Sequence, residues 1–409
     1  MGIAANQLHG YTLATVLHET ASTIVYQGTR DRDGLPIVIK LLKPDCPPLK
    51  DLARLRHEFG ITWPLALDGV VKSYELIECG HRLALVVEDF GGRSLQSYLT
   101  QQTLSIEDIL QIAIQLADTL IHLHARSIIH KDIKPGNIIY DPLTKTTKLT
   151  DFSIASQHCQ EQPVPAVVGG LAGTLSYMSP EQTGRINRTI DHRTDLYSLG
   201  ITLYELLIGY PPFQSTDSME LVHSHIAKPP PPIEGVNPNV PKGLARVVMK
   251  LLEKSADDRY QSAQGLKSDL ELCRAAWEKD GTIAPFPLRQ NDHWQQLHLS
   301  DKLYGRTAET RSLLAAFHRV CQGEAELVLL EGNPGIGKSA LVYEIHKPIV
   351  QRRGYFIAGK FDQFKRDVPY SGLIQAFHEL VRQVMAESAE QMQQWQRLLQ
   401  QALGSNGGI

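Results

Sequence analysis

Short runs of β-branched and apolar residues, separated by polar turns, fill the N-terminal part of the chain from about residue 9 to residue 90. Three of these runs predict strands at Ser22–Tyr26, Ile37–Leu42 and Leu83–Glu88. One stretch with helical spacing, Leu49–Phe59, interrupts them. The pattern therefore indicates a small sheet accompanied by one helix.

From about residue 105 the pattern becomes helical. Ser105 and Asp108 have the spacing of a capping box, and apolar residues recur behind them at helical spacing as far as Leu123. A second strongly apolar helix is predicted at Leu196–Ile208. A strand-rich part followed by a larger helical part predicts two lobes with a cleft between them.

A run of four prolines, Pro229–Pro232, lies in the middle of the helical part. It has the composition of a linker, but helical patterns resume at Lys242–Leu252 and Gln264–Trp277, which favours a loop within the lobe. The linker between domains is predicted instead at residues 278–301, around the sequence DGTIAPFPLRQND. Beyond it an apolar strand, a glycine-rich turn and a helix follow one another, which is an α/β pattern.

Composition narrows the classes of function. The net charge of −3 and the pI of about 6.6 show no basic excess, so nucleic-acid binding is not expected. The five cysteines are scattered without a CxxC pair, which fits thiols in a reducing cytoplasm. The N-terminus lacks the segments of a secretion signal, and no run of about 18 apolar residues is present. We therefore expect a cytoplasmic protein without a membrane span.

The strongest chemical signal is the sequence HKDIKPGN at residues 130–137, followed by TDFS. Phosphoryl transfer needs an oriented nucleophile, neutralised phosphate charge and bound magnesium. Asp132 is predicted to orient a substrate hydroxyl, and Lys134 to place a positive charge near the transferred group. Asn137 and Asp151 offer the oxygen ligands that Mg²⁺ prefers.

Two residues of the strand-rich part complete this set. Lys40 lies on a predicted strand, where its amine can hold the α- and β-phosphates of ATP, and Glu58 on the following helix can keep that amine in place. Taken alone, Lys40, Glu58 and Asp132 would each be interpreted as ordinary surface charges. Their common order and spacing change that interpretation.

By these residues the segment 9–277 resembles the eukaryotic-type protein kinase family, and SPE, DLYSLG and DDRYQS follow in the family's order. In the last motif, Arg259 is the expected salt-bridge partner of Glu181. The resemblance implies an α+β bilobal fold, ATP and Mg²⁺ as cofactors, and transfer to protein hydroxyls. Lys134 and Thr174 resemble the Ser/Thr-specific members. The ATP-binding residues that the resemblance implies are Leu17, Val25, Lys40, Glu58, Glu88, Phe90 and Asp151.

The sequence departs from the family in the loop between its first two strands. The three glycines of the family's phosphate loop fall on His18, Thr20 and Thr23. Backbone amides approach phosphates most easily where no Cβ intervenes, so this loop is expected to be stiffer and to hold phosphate less closely. Two smaller departures are Lys131, where the family has arginine, and Ser153, where it has glycine.

An active but atypical Ser/Thr protein kinase is the function predicted from these residues, and two alternatives stay open. One is a pseudokinase that acts as a nucleotide-sensing regulatory scaffold. The other is a small-molecule phosphotransferase, against which the long segment from Asp151 to Glu181 argues because such a segment docks peptides.

A second nucleotide site is predicted near the C-terminus. The sequence GNPGIGKS has the pattern of a phosphate-binding P-loop, with the predicted strand Glu326–Leu330 before it and the predicted helix Ser339–His346 after it. Its glycines expose backbone amides to phosphates, its lysine reaches the β- and γ-phosphates, and its serine binds Mg²⁺. The predicted site consists of Gly332, Gly335, Gly337, Lys338 and Ser339, with Ser339 as the metal ligand.

The flanking sequences LYGRTAET and GKFDQFKRDVPYSGL resemble the AAA-type signalling ATPase module. A second acidic strand is missing, with Asp362 as the nearest candidate, and the remainder predicts helices at Tyr370–Ala386 and Glu390–Leu403. Residues 302–409 are therefore predicted to form the N-terminal part of an incomplete α/β P-loop NTPase domain. In cyanobacterial-type hybrid proteins this module follows such a kinase. The resemblance thus implies downstream sensor or histidine-kinase domains, or a partner chain, in addition to a protein substrate.

Overall fold

The structure is a computed structural model. It describes residues 8–157, 175–184, 188–293, 305–333, 335–345, 348–349, 352, 354–361, 369–385 and 389–403. Thr174 and Asp362, which the sequence analysis singled out, lie outside the described residues. No helix among the described residues is long and apolar enough to cross a bilayer.

The N-terminal lobe is an antiparallel five-stranded sheet with the strand order β1-β2-β3-β5-β4. Its one helix, α1 (Leu49–Thr62), places Leu55 against Leu85 and other buried side chains of the sheet. The sheet and helix predicted from the sequence are confirmed. The strands are β1 (Tyr11–Glu19), β2 (Thr23–Arg30), β3 (Leu35–Leu42), β4 (Ser73–Cys79) and β5 (Arg82–Glu88).

The second lobe is mainly helical. Its largest buried cluster combines α3, α4, α7 and α8, and α4 is buried along almost its whole length because helices surround it. The prolines Pro229–Pro232 lie between α5 and α6, so the predicted loop within the lobe is confirmed. The helices are α2 (Leu95–Leu99), α3 (Ile106–His124), α4 (Arg193–Ile208), α5 (Ser218–Ala227), α6 (Ile233–Val236), α7 (Lys242–Leu251) and α8 (Ala263–Asp280).

A small three-stranded sheet lies at the side of the helical lobe that carries the candidate site. It consists of β6 (Arg93–Ser94), β7 (Ile138–Asp141) and β8 (Thr146–Leu149). The loop after α1 pairs with β8, because the amide of Leu149 donates to Gly69 O at 2.8 Å and the amide of Val71 donates to Leu149 O at 2.9 Å. This pairing fixes the position of the residues that follow β8 relative to the N-terminal lobe.

The first part of the predicted linker is attached to the helical lobe. Helix α8 continues to Asp280, and Gly281 ends it in the left-handed region at φ +62°. Residues 281–293 then run back along α7 and α8, and Ile283 is buried against them. The boundary at residue 277 stays a prediction.

The described residues after 305 form four helices: α9 (Thr307–Val320), α10 (Lys338–Tyr343), α11 (Ser371–Met385) and α12 (Ala389–Leu403). The strand predicted at Glu326–Leu330 is not paired with any strand in the described residues. A strand needs a hydrogen-bonding neighbour. In this segment the Leu327 side chain is also 97% exposed, so it packs against little of the described structure. This is why the apolar run has no sheet geometry here.

Candidate active site

Lys40 lies at the centre of a charged cluster between the two lobes. Strand β3 holds its backbone between Val25 of β2 and Leu85 of β5. Its Nζ is 2.8 Å from Glu58 Oε2 and 3.2 Å from Asp151 Oδ1. The two residues predicted to accompany Lys40 are therefore both in contact with it, although Asp151 is far away in the sequence.

The electrostatics of this cluster favour the charged forms of Lys40 and Asp151, while burial raises the pKa of Glu58. Burial opposes the charge on Lys40, but the carboxylates of Asp151 and Glu58 overcome that effect and raise the Lys40 pKa. Burial also opposes ionisation of Asp151, yet the neighbouring Lys40 charge holds the pKa of that carboxyl well below its usual range. Lys40 is therefore a fixed ammonium and Asp151 a fixed carboxylate at neutral pH.

Asp151 adopts the left-handed conformation, with φ +63°. This backbone is uncommon for a residue with a side chain, so neighbouring contacts must hold it. The buried ring of the next residue, Phe152, packs against His130 with 4.5 Å between ring centroids. From α1, His57 Nε2 lies 2.7 Å from Ala155 O, which ties the same segment to the helix that carries Glu58.

Residues 130–137, here called the catalytic loop, bring the other predicted residues together. Asp132 Oδ2 accepts hydrogen bonds from Lys134 Nζ at 2.7 Å and from Asn137 Nδ2 at 2.8 Å. The other oxygen, Asp132 Oδ1, is buried and has no hydrogen-bond partner in the described structure. A buried carboxylate oxygen normally has a donor, so this atom retains an accepting capacity that no described residue uses.

The catalytic loop is joined to the strand that precedes Asp151. The amide of Thr150 donates to Asn137 O at 3.0 Å, and His130 Nε2 lies 3.1 Å from Thr150 O. His130 Nδ1 accepts from the amide of Asp132 at 3.2 Å, so the Nε2 atom carries the proton. These bonds hold the Asp132 and Asp151 segments side by side.

Asp195, in the first turn of α4, binds the backbone at the start of the catalytic loop. Its Oδ2 accepts from the amide of His130 and from His124 Nε2, both at 2.9 Å, and its Oδ1 accepts from the amide of Lys131 at 2.8 Å. Lys131 needs this support because it too is left-handed, at φ +66°. The motif DLYSLG was recognised in the sequence, but no role was assigned to its first residue.

Glu181 and Arg259 form a fully buried bidentate ion pair, with Arg259 Nη1 and Nη2 at 2.7 and 2.9 Å from the two carboxylate oxygens of Glu181. The predicted salt bridge is thus confirmed, and we call this pair the anchor. The neighbouring Gln182 donates to Lys131 O at 2.8 Å, which joins the anchor to the catalytic loop.

Comparison with known proteins decides the family. The model of the protein kinase domain matches residues 11–270. The chain belongs to the protein kinase family. The model of the AAA ATPase domain matches residues 302–408. The predicted fold, an antiparallel N-terminal lobe and a helical C-terminal lobe followed by an AAA-type domain, is therefore confirmed.

Curated relatives are similar over part of their length. Hybrid signal transduction histidine kinase G of Dictyostelium discoideum is 40% identical over 253 residues, which cover 57% of this chain and 7% of that protein. Serine/threonine-protein kinase pkn2 of Myxococcus xanthus is 32% identical over 259 residues, 62% of this chain and 31% of the relative. Serine/threonine-protein kinase PrkC of Bacillus subtilis is 30% identical over 237 residues, 58% and 36% of the two chains. The chain thus spans well under half the length of these relatives.

On the nucleotide side of this kinase, the connector between the lobes begins at Glu88. The Glu88 carboxylate accepts from Lys148 Nζ at 2.7 Å and from the amide of Lys72 at 2.8 Å. Lys148 also lies over the ring of Phe90, 4.9 Å from its centroid. Two donors thus hold the Glu88 carboxylate, and its backbone amide donates to Lys72 O at 2.9 Å.

Leu17 and Val25 lie on the first hairpin. Leu17 occupies a bulge of β1 and is 53% exposed, while Val25 on β2 is half-buried opposite His18. The structure thus places both side chains on adjacent strands near Lys40, which is paired with Val25.

The turn between β1 and β2, where the family has glycines, is closed on itself. Thr20 Oγ1 accepts from the amide of Thr23 at 3.0 Å and from the amide of Ser22 at 3.3 Å. The amide of Thr20 donates to Thr23 O at 2.8 Å. Amides that glycine-rich loops offer to phosphate are therefore bonded here to a threonine hydroxyl.

The second predicted nucleotide site has a turn of the expected kind. Gly335 and Gly337 have φ +80° and +93°, which only glycine adopts without strain. Lys338 Nζ donates to Gly332 O at 2.7 Å and to Asn333 O at 2.9 Å, so its amine lies within the turn. Ser339 is exposed in the first turn of α10.

Proposed function

We propose that this chain is a Ser/Thr protein kinase that transfers the γ-phosphoryl group of ATP to protein hydroxyls. One observation carries the proposal, namely that Lys40, Asp151, Asn137 and Asp132 converge while Asp132 Oδ1 is buried and unpaired. An unpaired buried carboxylate oxygen beside a fixed ammonium and a fixed carboxylate suits a hydroxyl nucleophile and a phosphate better than a structural role.

The residues fit ATP and Mg²⁺. Both recorded bonds of the Asn137 side chain are donated by Nδ2, which leaves Oδ1 as its metal-binding atom, and Asp151 adds an anionic oxygen. Mg²⁺ bound there would neutralise phosphate charge. Lys40 would hold the α- and β-phosphates, and Lys134 would stabilise the charge on the transferred group. The adenine side would be formed by Leu17, Val25, Glu88 and Phe90.

The experiment is phosphotransfer from labelled Mg-ATP to a generic protein substrate by the full chain. Asp132→Asn and Lys40→Met should each lower kcat by at least about a hundredfold, because they remove the hydroxyl acceptor and the phosphate ligand. The exposed Asp68→Asn is the matched control and should leave kcat unchanged. Transfer that survives Asp132→Asn would refute the proposed mechanism.

The alternative of a nucleotide-sensing scaffold is not favoured by the match to the protein kinase domain or by the Ser/Thr kinases among the relatives. The closed turn at Thr20, whose hydroxyl accepts from the amides of Ser22 and Thr23, is the feature that makes it worth a direct test. Tight ATP binding measured by calorimetry without any transfer would support the scaffold. Binding together with transfer would exclude it.

We also propose that residues 302–409 bind a second nucleotide through Gly332, Gly335, Gly337, Lys338 and Ser339, with Ser339 as a ligand of Mg²⁺. The match to the AAA ATPase domain and the position of the Lys338 amine support this site. Lys338→Ala should abolish nucleotide binding by this domain and leave the Lys40 site intact. Photolabelling with 8-azido-ATP in Lys40→Met and Lys338→Ala variants would separate the two sites.

The wider assignment rests on the relatives. We propose a kinase domain at 9–277, a linker at 278–301, a cytoplasmic location, and downstream sensor or histidine-kinase domains in the same chain or a partner. A hybrid histidine kinase among the relatives supports the last point. Co-purification of the chain with a phosphorylatable histidine-kinase module would test it.

A further inference from the structure

The segment 281–293, here called the strap, lies between the parts of the chain that match the kinase and ATPase domains. It is packed rather than free. The amide of Gly243 donates to Ile283 O at 2.9 Å, and Ile283 is only 2% exposed. A Cβ at Gly243 would lie 2.5 Å from the Ile283 side chain, so α7 fits the strap only because it has glycine there.

The strap is fastened by one buried carboxylate. The Asp292 side chain is fully buried, and its Oδ1 accepts from both the amide and the hydroxyl of Ser262, each at 2.9 Å. Its Oδ2 accepts from the amide of Gln261 and from Arg289 Nε, each at 2.8 Å. A buried charge with four donors is a specific contact, because leaving those donors unpaired would be costly.

Gln261 connects Asp292 to two arginines of the helical lobe through hydrogen bonds. Its Nε2 donates to Arg259 O at 2.8 Å, and its Oε1 accepts from Arg193 Nη1 at 2.9 Å. Its carbonyl oxygen lies 2.8 Å from His192 Nε2. Arg259 holds Glu181 in the anchor, and His192 and Arg193 begin the helix whose Asp195 holds the catalytic loop.

We propose that Asp292 is a positioning residue for phosphoryl transfer, which holds the anchor and the catalytic loop in place through Gln261 and Ser262. The inference rests on the kinase function proposed above. It makes the strap part of the catalytic unit, although the strap lies outside the matched kinase domain. A displacement of the strap by the domain that follows it would then change kinase activity.

Two variants displace the contact by different means. Asp292→Asn keeps the shape but turns an amide NH₂ toward either the Gln261 amide or the Ser262 amide, which bond to different oxygens of the aspartate. Gly265→Ala adds a Cβ that would lie 2.5 Å from Asp292 Cβ, while alanine favours helix α8 itself. A shared loss of activity would therefore come from the strap and not from a weaker helix. Asp280→Asn, an exposed change next to the strap, is the control.

The test measures steady-state kinetics and amide hydrogen exchange on the full chain. Both variants should lower kcat for a protein substrate about tenfold, equivalent to about 1.4 kcal/mol, and leave the KM for ATP within about twofold of the wild type. If the contact only stabilised the fold, its loss would lower the thermal midpoint without lowering kcat at an unchanged KM for ATP. Exchange should become faster in 175–184 and 256–262 in both variants.

The outcomes separate the two proposals. If the wild type transfers phosphate and both variants match Asp280→Asn in kcat and exchange, the role of Asp292 is refuted while the kinase function stands. If the wild type transfers nothing, the kinase function fails, and the role of Asp292 in phosphoryl transfer is refuted with it. Faster exchange in 175–184 would then show only that Asp292 stabilises the anchor.

Discussion

Asp195→Asn should both destabilise the helical lobe and slow catalysis. The wild-type carboxylate is fully buried and accepts three hydrogen bonds, from the amides of His130 and Lys131 and from His124. Asparagine has one carbonyl oxygen. If that oxygen keeps the Lys131 amide, its NH₂ group faces the two remaining donors.

The structure gives the size of the effect. Each buried donor left unpaired costs about 1–3 kcal/mol, so two such donors should lower the free energy of unfolding by about 2–6 kcal/mol. For a lobe of this size the thermal midpoint should fall by about 4–24 °C. The His130 amide, next to the left-handed Lys131, would lose its acceptor, and the neighbouring Asp132 would shift with it. We therefore expect kcat to fall at least about tenfold.

The assay combines a thermal melt followed by circular dichroism with kcat measured well below the midpoint. Asp68→Asn, which removes a charge from an exposed carboxylate, is the control and should change neither quantity. A melt and a kcat equal to those of the wild type would show that Asp195 does not hold the catalytic loop.

Two further variants test buried charges. Glu181→Gln leaves the Arg259 charge uncompensated and should lower the free energy of unfolding by about 3–5 kcal/mol, measured by chemical denaturation. A loss below about 1 kcal/mol would show that the backbone carbonyls around Arg259 are enough to stabilise its charge. Burial, assisted by the nearby charge of Lys254, lowers the pKa of His225 to about 3. The unfolded histidine has a pKa of about 6.5, so below that pH the unfolded state binds more protons and stability falls by about 1.4 kcal/mol per pH unit towards pH 3. In melts between pH 7 and 5, His225→Gln should make the free energy of unfolding less dependent on pH, by up to about 1.4 kcal/mol per pH unit. An unchanged pH dependence would refute the lowered pKa of His225.

The sequence predicted those site residues that stand in short motifs or in single predicted strands and helices. Lys40 and Glu58 were recognised from a strand and a helix, and they meet at 2.8 Å because β3 and α1 pack together. Asp132, Asn137 and Asp151 were recognised from two short motifs. In each case a polar or charged residue stands at a fixed spacing from apolar residues that set the backbone, and this spacing can be read from the sequence.

The residues that hold these groups in place could not be assigned in the same way. Asp195 lies in the first turn of α4, where a solvent-exposed cap is the ordinary role, and Asp292 lies in the strap, beyond the end of α8. What distinguishes them is complete burial among donors from other segments, and this depends on packing across long separations in sequence. The prediction of a strand at Glu326–Leu330 was wrong for a related reason. A strand is defined by a hydrogen-bonding partner, and the sequence of the run itself does not contain that partner.

The closed turn at Thr20 changes how the phosphates are held more than whether they are held. Its amides are satisfied by weak neutral bonds to one hydroxyl, each worth about 0.5–1.5 kcal/mol, which a phosphate oxygen with its full charge can replace. The Lys40–Asp151 pair is half-buried between the lobes, and full charges in such surroundings act on phosphate more strongly than neutral amides at an exposed turn. The loss of three glycines should therefore appear mainly in the KM for ATP. In the mechanism that we propose, the chemical step depends on Lys40, Asp151 and Asp132, and the structure brings these three residues together.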